Sequence, residues 1–197
     1  MPRRSRLEPG CCVALLAVLL SIAVPAAGRN AAPAVRGAQF TLSSPDLTPG
    51  GSVPLAHVYN RDGCRGRNIS PAVAWRHPPA GTHGFALLIF DSDARGGWWH
   101  WLVIDIPAGV RSLPAGAGAP DGHGLPEGAV QTRNDWGFPQ YGGPCPPPGP
   151  PHHYHVLLYA LGAQQVAVAK DAPAGAVAAT VRAAAIAEAE ITVVYGR

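Results

Sequence analysis

Charge is scarce in this chain. Only 14% of its 197 residues are Asp, Glu, Lys or Arg, against roughly 25% in soluble proteins. The formal charge of +3 is too small to mark a nucleic-acid-binding surface. Cysteine is limited to four residues, and their spacing matches no zinc pattern. No Gly-x-Ser-x-Gly elbow occurs, so the familiar serine-hydrolase motif is absent. No internal repeat is present, which excludes solenoids and propellers. What abounds is Gly (24) and Pro (22). That supply of turn formers excludes long helical bundles. Apolar residues at 47% exclude wholesale disorder, and the length suits one domain.

One apolar run stands out, from Cys12 to Val24, behind Arg3, Arg4 and Arg6. Small residues follow it, in Pro25-Ala26-Ala27-Gly28. Basic, apolar and small-residue segments in that order form a secretory signal peptide over residues 1–28. The run is short of the about 20 residues that a bilayer span needs. A structural helix or a retained anchor is the alternative. Cleavage after Gly28 leaves 12 basic and 11 acidic groups, a nearly neutral mature chain with no transmembrane segment. The expected location is therefore periplasmic or secreted. Cys11 and Cys12 leave with the signal, and Cys64 and Cys145 remain. Two cysteines in an oxidising compartment favour one disulfide; two buried free thiols are the alternative.

Residues 29–37 read as a short disordered leader, and a single domain is expected over 38–197. Gln39 to Ser43 alternates polar and apolar residues, as a half-buried strand does. A second strand is expected over Val53–Tyr59 and a short one over Val73–Trp75. Phe85–Phe90 is continuously apolar, as strands covered on both faces are; Trp99–Ile106 reads as a second such strand and Tyr154–Leu161 as a third central strand. Residues 108–152 form a long Gly- and Pro-rich connection, of a kind that is usually functional. Asp171 can cap a helix reaching about Ala189, with Val177, Val181 and Ala184/Ala185 as its apolar stripe. Ile191–Tyr195 is a last strand. The expected fold is mainly β: a two-sheet antiparallel sandwich with short peripheral helices and a C-terminal helix followed by a strand.

Three polar clusters fall at the ends of the central strands. Asp91-Ser92-Asp93 closes the first, and carboxylates at i and i+2 share a side if strand geometry persists. Trp98-Trp99-His100-Trp101 opens the second, where alternation puts His100 opposite Trp99 and Trp101. The third is Pro144 to His155, a stiff proline wall that delivers His152, His153 and Tyr154. If the strands are neighbours, Asp91, Asp93, His100, His152 and Tyr154 meet in one pocket. Imidazole and phenol donors, carboxylate acceptors and a Trp/Pro rim suit a small oxyanion with an organic tail. The carboxylates would favour protonated imidazoles, which are anion donors.

At this point the chain resembles a family. Gly63-Cys64, Asn68-Ile69-Ser70-Pro71, Trp75, Asp91-Ser92-Asp93-Ala94, Gly97 to Val103, Asn134-Asp135-Trp136-Gly137, Tyr141 to Pro147, His152-His153-Tyr154 and Ala189 to Tyr195 follow one another as in the phosphatidylethanolamine-binding proteins. The chain resembles the exported members of their bacterial Raf-kinase-inhibitor-like branch. The resemblance implies two antiparallel sheets and an anion pocket for phosphate-like groups and phospholipid headgroups. The pocket residues it implies are Asp91, Asp93, Trp98, His100, Pro144, His152 and Tyr154. Two positions depart from the family pattern, Ser92 and Arg95, where Pro is usual. Ser92 is expected to loosen the backbone there.

The function expected is non-catalytic binding of a phosphorylated small molecule or lipid headgroup, without cofactor or metal. The alternative is an inhibitor or modulator of a protein such as a protease or kinase; a homodimer is compatible with the sequence. Kinase control itself is a cytosolic role that fold alone does not transfer to an exported protein. A third reading is metal-assisted hydrolysis by Asp91, His100 and His152.

Overall fold

The three apolar words become the centre of a five-stranded antiparallel sheet. A computed structural model describes residues 38–197 apart from Lys170; the expected signal peptide and leader lie outside the described residues. The strands are β1 (Thr41–Ser43), β2 (Val73–Arg76), β3 (Gly84–Asp91), β4 (Trp98–Pro107), β5 (Ser112–Leu113), β6 (Val130–Gln131), β7 (His152–Leu161) and β8 (Ala185–Tyr195), with helix α1 (Ala174–Ala184) before the last. The large sheet has the order β6-β4-β3-β7-β8, and a small sheet has the order β1-β2-β5. All paired strands are antiparallel.

Each central strand feeds two apolar layers, which is why these segments read as continuous apolar runs. On the inner face Phe85, Leu87, Ile89, Val156 and Leu158 share a cluster with Val73, Trp75 and Leu113 of the small sheet. Trp75 meets Phe85 edge to face at 5.3 Å between ring centroids. On the outer face Ala86, Leu88, Leu102, Leu157 and Tyr159 pack under α1. Val177 and Val181 of α1 are fully buried in that layer.

Three local expectations are corrected. Val53–Tyr59 is not a strand. After one isolated bridge, Ser52 to Val194, it turns, with His57 and Val58 amides bonded to the Pro54 and Leu55 carbonyls. The helix neither starts on Asp171 nor reaches Ala189. Pro173 occupies the cap position without a side-chain bond, and Asp171 faces Arg133 at 3.5 Å. The chain turns extended at Ala185, because Glu188 and Glu190 alternate with Ala187, Ala189 and Ile191 and the segment pairs with β7 along its length. A period-2 pattern with a ready partner strand outweighs the helix propensity of Ala and Glu. Among the described residues α1 is the single helix, and no helix is long and apolar enough to cross a membrane. The expected peripheral helices are replaced by turns, as the Gly and Pro content favours.

Candidate functional site

One register irregularity builds the site. Ile89 pairs with Trp101 and Phe90 with Trp99, so β4 carries one extra residue, His100. A bulge of this kind breaks side-chain alternation. Trp99 and Trp101 therefore do not share a face, contrary to the alternation rule: Trp99 joins the outer layer and Trp101 the inner. His100 is thereby turned into a cavity at the strand ends while being only 2% exposed.

The cavity holds about 190 Å³ and is lined by Asp91, Ala94, Trp98, His100, Trp136, Cys145, Pro146, Pro147 and His152. Asp91, at the end of β3, is 3% exposed. Its Oδ1 accepts the amides of Asp93 and Ala94 at 2.9 and 3.1 Å. Its Oδ2 meets His152 Nδ1 at 2.7 Å. A buried carboxylate is tolerable only with such partners.

His100 is held from behind. Its Nδ1 lies 2.6 Å from the Gly142 carbonyl, so Nδ1 carries the hydrogen and Nε2 presents a lone pair. Burial pushes its pKa down to about 4, outweighing the upward pulls of the Gly142 carbonyl and Asp91. The expected imidazolium is thus corrected for His100: desolvation overrides the neighbouring carboxylate, and the ring is neutral at pH 7. Gly142 and Gly143 make the close approach feasible. A Cβ on Gly143 would fall 2.2 Å from the His57 carbonyl, and one on Gly142 2.4 Å from the Trp136 ring. Asn68 anchors this loop, donating to the Tyr141 carbonyl and accepting from the Gly143 amide.

Four polar atoms around the cavity are buried without a partner: His100 Nε2, Trp98 Nε1, Trp136 Nε1 and the Tyr154 hydroxyl. Tyr154 sits beneath His100, with ring centroids 5.3 Å apart. Burial first, and then the negative Asp91, pushes the Tyr154 phenol upward, so it stays a donor. Orphaned buried donors cost about 1–3 kcal/mol each. Two indole N–H groups and one imidazole lone pair at the cavity are thus without a protein partner.

Of the seven expected residues, Asp91, Trp98, His100 and His152 line the cavity. Pro144 and Tyr154 line a small apolar void below it. Asp93 does not join them. It is corrected to a surface position, where its Oδ2 accepts the His153 amide at 2.7 Å and meets His153 Nδ1 at 2.8 Å. The backbone amide bond, followed by the imidazole bond, holds its carboxyl below the usual range. The i, i+2 rule fails because the chain leaves strand geometry after Asp91. Ser92 does not loosen this turn either: its amide donates to the His153 carbonyl at 3.2 Å, a bond that proline cannot make.

Trp136 was absent from the expected pocket. It stacks on Tyr59 at 4.3 Å and meets Trp98 edge to face at 5.4 Å. The Asn134-Asp135-Trp136-Gly137 word marks it, since Asn134 donates to the His100 carbonyl and Asp135 accepts the Trp99 amide. Cys64 and Cys145 are disulfide-bonded, which ties the proline wall to the Arg61–Gly66 loop.

A phosphatidylethanolamine-binding protein family model matches residues 43–196. The chain belongs to that family. YbcL of Escherichia coli is 43% identical over 81% of this chain and 89% of its own length. YbhB of the same organism is 40% identical over 78% of this chain and 98% of its own. The crystal structure of YbcL, described as a new member of the mammalian family, superposes with a TM-score of 0.79 and covers 81% of this chain and 99% of that one. The homologue CT736 of Chlamydia trachomatis, 25% identical, gives a TM-score of 0.66 over 80% of this chain and 97% of its own. The span that the family model matches contains the cavity-lining residues and their supports, Asn68 and Asn134.

Proposed function

We propose that the cavity at the ends of the central strands binds, without catalysis, a phosphate-bearing small molecule or a phospholipid headgroup, in a β sandwich exported from the cytoplasm. The orphaned donor set carries this reading. Two indole N–H groups and a neutral imidazole lone pair match a phosphate monoanion, whose oxygens accept and whose P–O–H donates to His100 Nε2. Asp91 keeps its negative charge while bonded to N–H groups, which favours a ligand with a cationic or hydroxyl-bearing tail beside the phosphate. Pro146, Pro147, Trp98 and Trp136 offer apolar rim for the organic part. Export is supported by the basic and apolar order of residues 1–28 and by the Cys64–Cys145 bond, which suits an oxidising compartment.

Calorimetric titration with phosphoethanolamine and with inorganic phosphate tests it. Trp98→Phe and Trp136→Phe each remove one N–H and keep the ring, so each should weaken binding about 5- to 15-fold. Affinity should fall as pH rises past about 6, because the dianion has no hydrogen for Nε2. Equal affinity in all three proteins refutes this placement of the ligand. Inorganic phosphate binding as tightly as phosphoethanolamine would assign the recognition to phosphate alone.

A further inference from the structure

Ser92, the position that departs from the family's usual proline, is not idle. Asp91 turns its side chain into the cavity, while Ser92 meets β7 on the face that carries α1. Ser92 Oγ lies 3.0 Å from His155 Nε2. His155 Nδ1 lies 2.5 Å from Glu190 Oε1. The Thr192 hydroxyl donates to the same Glu190 oxygen at 2.6 Å. Strand pairing enforces the arrangement: Phe90 and Thr192 both sit opposite His155, and Glu190 is the next outward residue along β8.

We propose that Ser92, His155 and Glu190 form an acyl-transfer site that hydrolyses esters of apolar carboxylic acids. It is separate from the phosphate cavity and does not rest on that reading. A hydroxyl within reach of an imidazole, which is in turn oriented by a carboxylate, is the arrangement that activates serine, and it recurs on unrelated folds and in any chain order. The Glu190 bond fixes the tautomer. Nδ1 holds the hydrogen, and Nε2 is free to accept the Ser92 proton. Burial raises the Glu190 carboxyl, but the Thr192 and His155 bonds outweigh it and hold it below the usual range, so it is ionised. A groove of about 250 Å³ opens beside the serine, lined by Phe90, His155, Leu157, Tyr159, Arg182 and Glu188. Its aromatic and aliphatic walls suit an apolar acyl chain, and Arg182 and Glu188 bring opposite charges to its lining.

In the reaction, Ser92 Oγ attacks the ester carbonyl carbon as its proton passes to His155 Nε2, and the carbonyl electron pair moves onto oxygen. Collapse of that intermediate breaks the bond to the alcohol, which takes the proton from Nε2. Water then repeats the sequence and releases the acid. The amides of Asp93 and Ala94, next along the chain, are committed to Asp91. They do not serve the oxyanion, so the expected acceleration is that of nucleophile and base together. An activated ester is therefore the proper probe.

The full chain is incubated with a fluorophosphonate, the adduct is mapped by peptide mass, and turnover of p-nitrophenyl butyrate is followed. The expected adduct is on Ser92. His155→Ala should slow its formation about 100-fold or more. Glu190→Gln, the positioning residue, should slow it too and abolish the downfield Nδ1 proton resonance of His155. Ser92→Ala should lose adduct and turnover while keeping the wild-type melting temperature. Failure to label Ser92 where a reference serine hydrolase labels fully overturns the proposal. So does equal labelling of wild type and His155→Ala.

Discussion

Lowering the pH from 7 to 4 should weaken this fold chiefly through His100. Its pKa falls from 6.5 to about 4 on folding. Between those values the unfolded chain carries a proton that the native ring refuses. Stability therefore falls as pH falls, by about 1.4 kcal/mol per unit, and about 3 kcal/mol is lost by pH 4. Above about pH 6.5 the contribution is flat. Native Asp93 and Glu190 also hold lowered carboxyl pKa values and so lose stability in acid, but this begins near their ordinary range, at the acid end of the window. His100→Asn separates the two. The Asn amide can donate to the Gly142 carbonyl as Nδ1–H does, and it does not titrate. Its baseline stability will be lower, since ring contacts with Tyr154 and Trp136 are lost, so slopes are compared rather than values. Urea unfolding at four pH values between 7.5 and 4.5, in phosphate-free buffers that avoid stabilisation by bound ligand, gives both slopes. Wild type should lose about 2–3 kcal/mol more than the variant over that interval. Parallel curves would mean that His100 is charged in the native state or solvated, and the neutral-acceptor account of the cavity would fall with it.

Replacing both Cys64 and Cys145 by Ala opens a closure of 81 residues; the loss by chain entropy is about 4 kcal/mol, read by denaturant midpoint, and ligand affinity should drop as the proline wall loosens. Asp91→Ala strands two amides and the His152 imidazole and should cost about 3 kcal/mol, whereas Asp93→Ala, on the surface, should leave unfolding and phosphoethanolamine titration nearly unchanged. Val181→Asp puts a charge in a fully buried site under α1 and should cost at least about 3 kcal/mol, seen as a lower melting temperature; a fully stable soluble variant would remove α1 from the core.

The central strands were legible because each is buried on both faces, which leaves continuous apolar words bounded by Gly and Pro. Their polar ends were legible as a site because Asp91, Trp98, His100 and His152 fall at adjacent strand termini. Bulges were not legible. Nothing in Trp98-Trp99-His100-Trp101 announces that His100 is the extra residue, and the alternation rule then assigns Trp99 to the wrong layer. Ala185 to Glu190 carried both a helix composition and a strand period, and pairing with β7 decided between them. The protonation of His100 was misjudged from neighbours alone, since the carboxylate was visible in sequence and the burial was not. Trp136 was visible within its own word, but its place in the cavity depends on Asn134 and Asp135 holding β4 from across the turn.

The end of β3 explains how one turn can serve two faces without proline. Four contacts staple residues 91–93 to the start of β7: Asp91 to His152, the Ser92 amide to the His153 carbonyl, and Asp93 to both the amide and ring of His153. Proline at position 92 would stiffen the same turn by fixing φ, but it would forfeit the amide bond and the hydroxyl. Serine keeps the turn through hydrogen bonds and adds a nucleophile facing His155. Ser92→Pro is therefore an informative exchange. It should preserve the cavity geometry held by Asp91 and His152, and with it phosphoethanolamine affinity, while removing the serine-dependent adduct entirely. Loss of both activities together would mean that the Ser92 amide bond, rather than the Asp91 and Asp93 contacts, holds the turn in place.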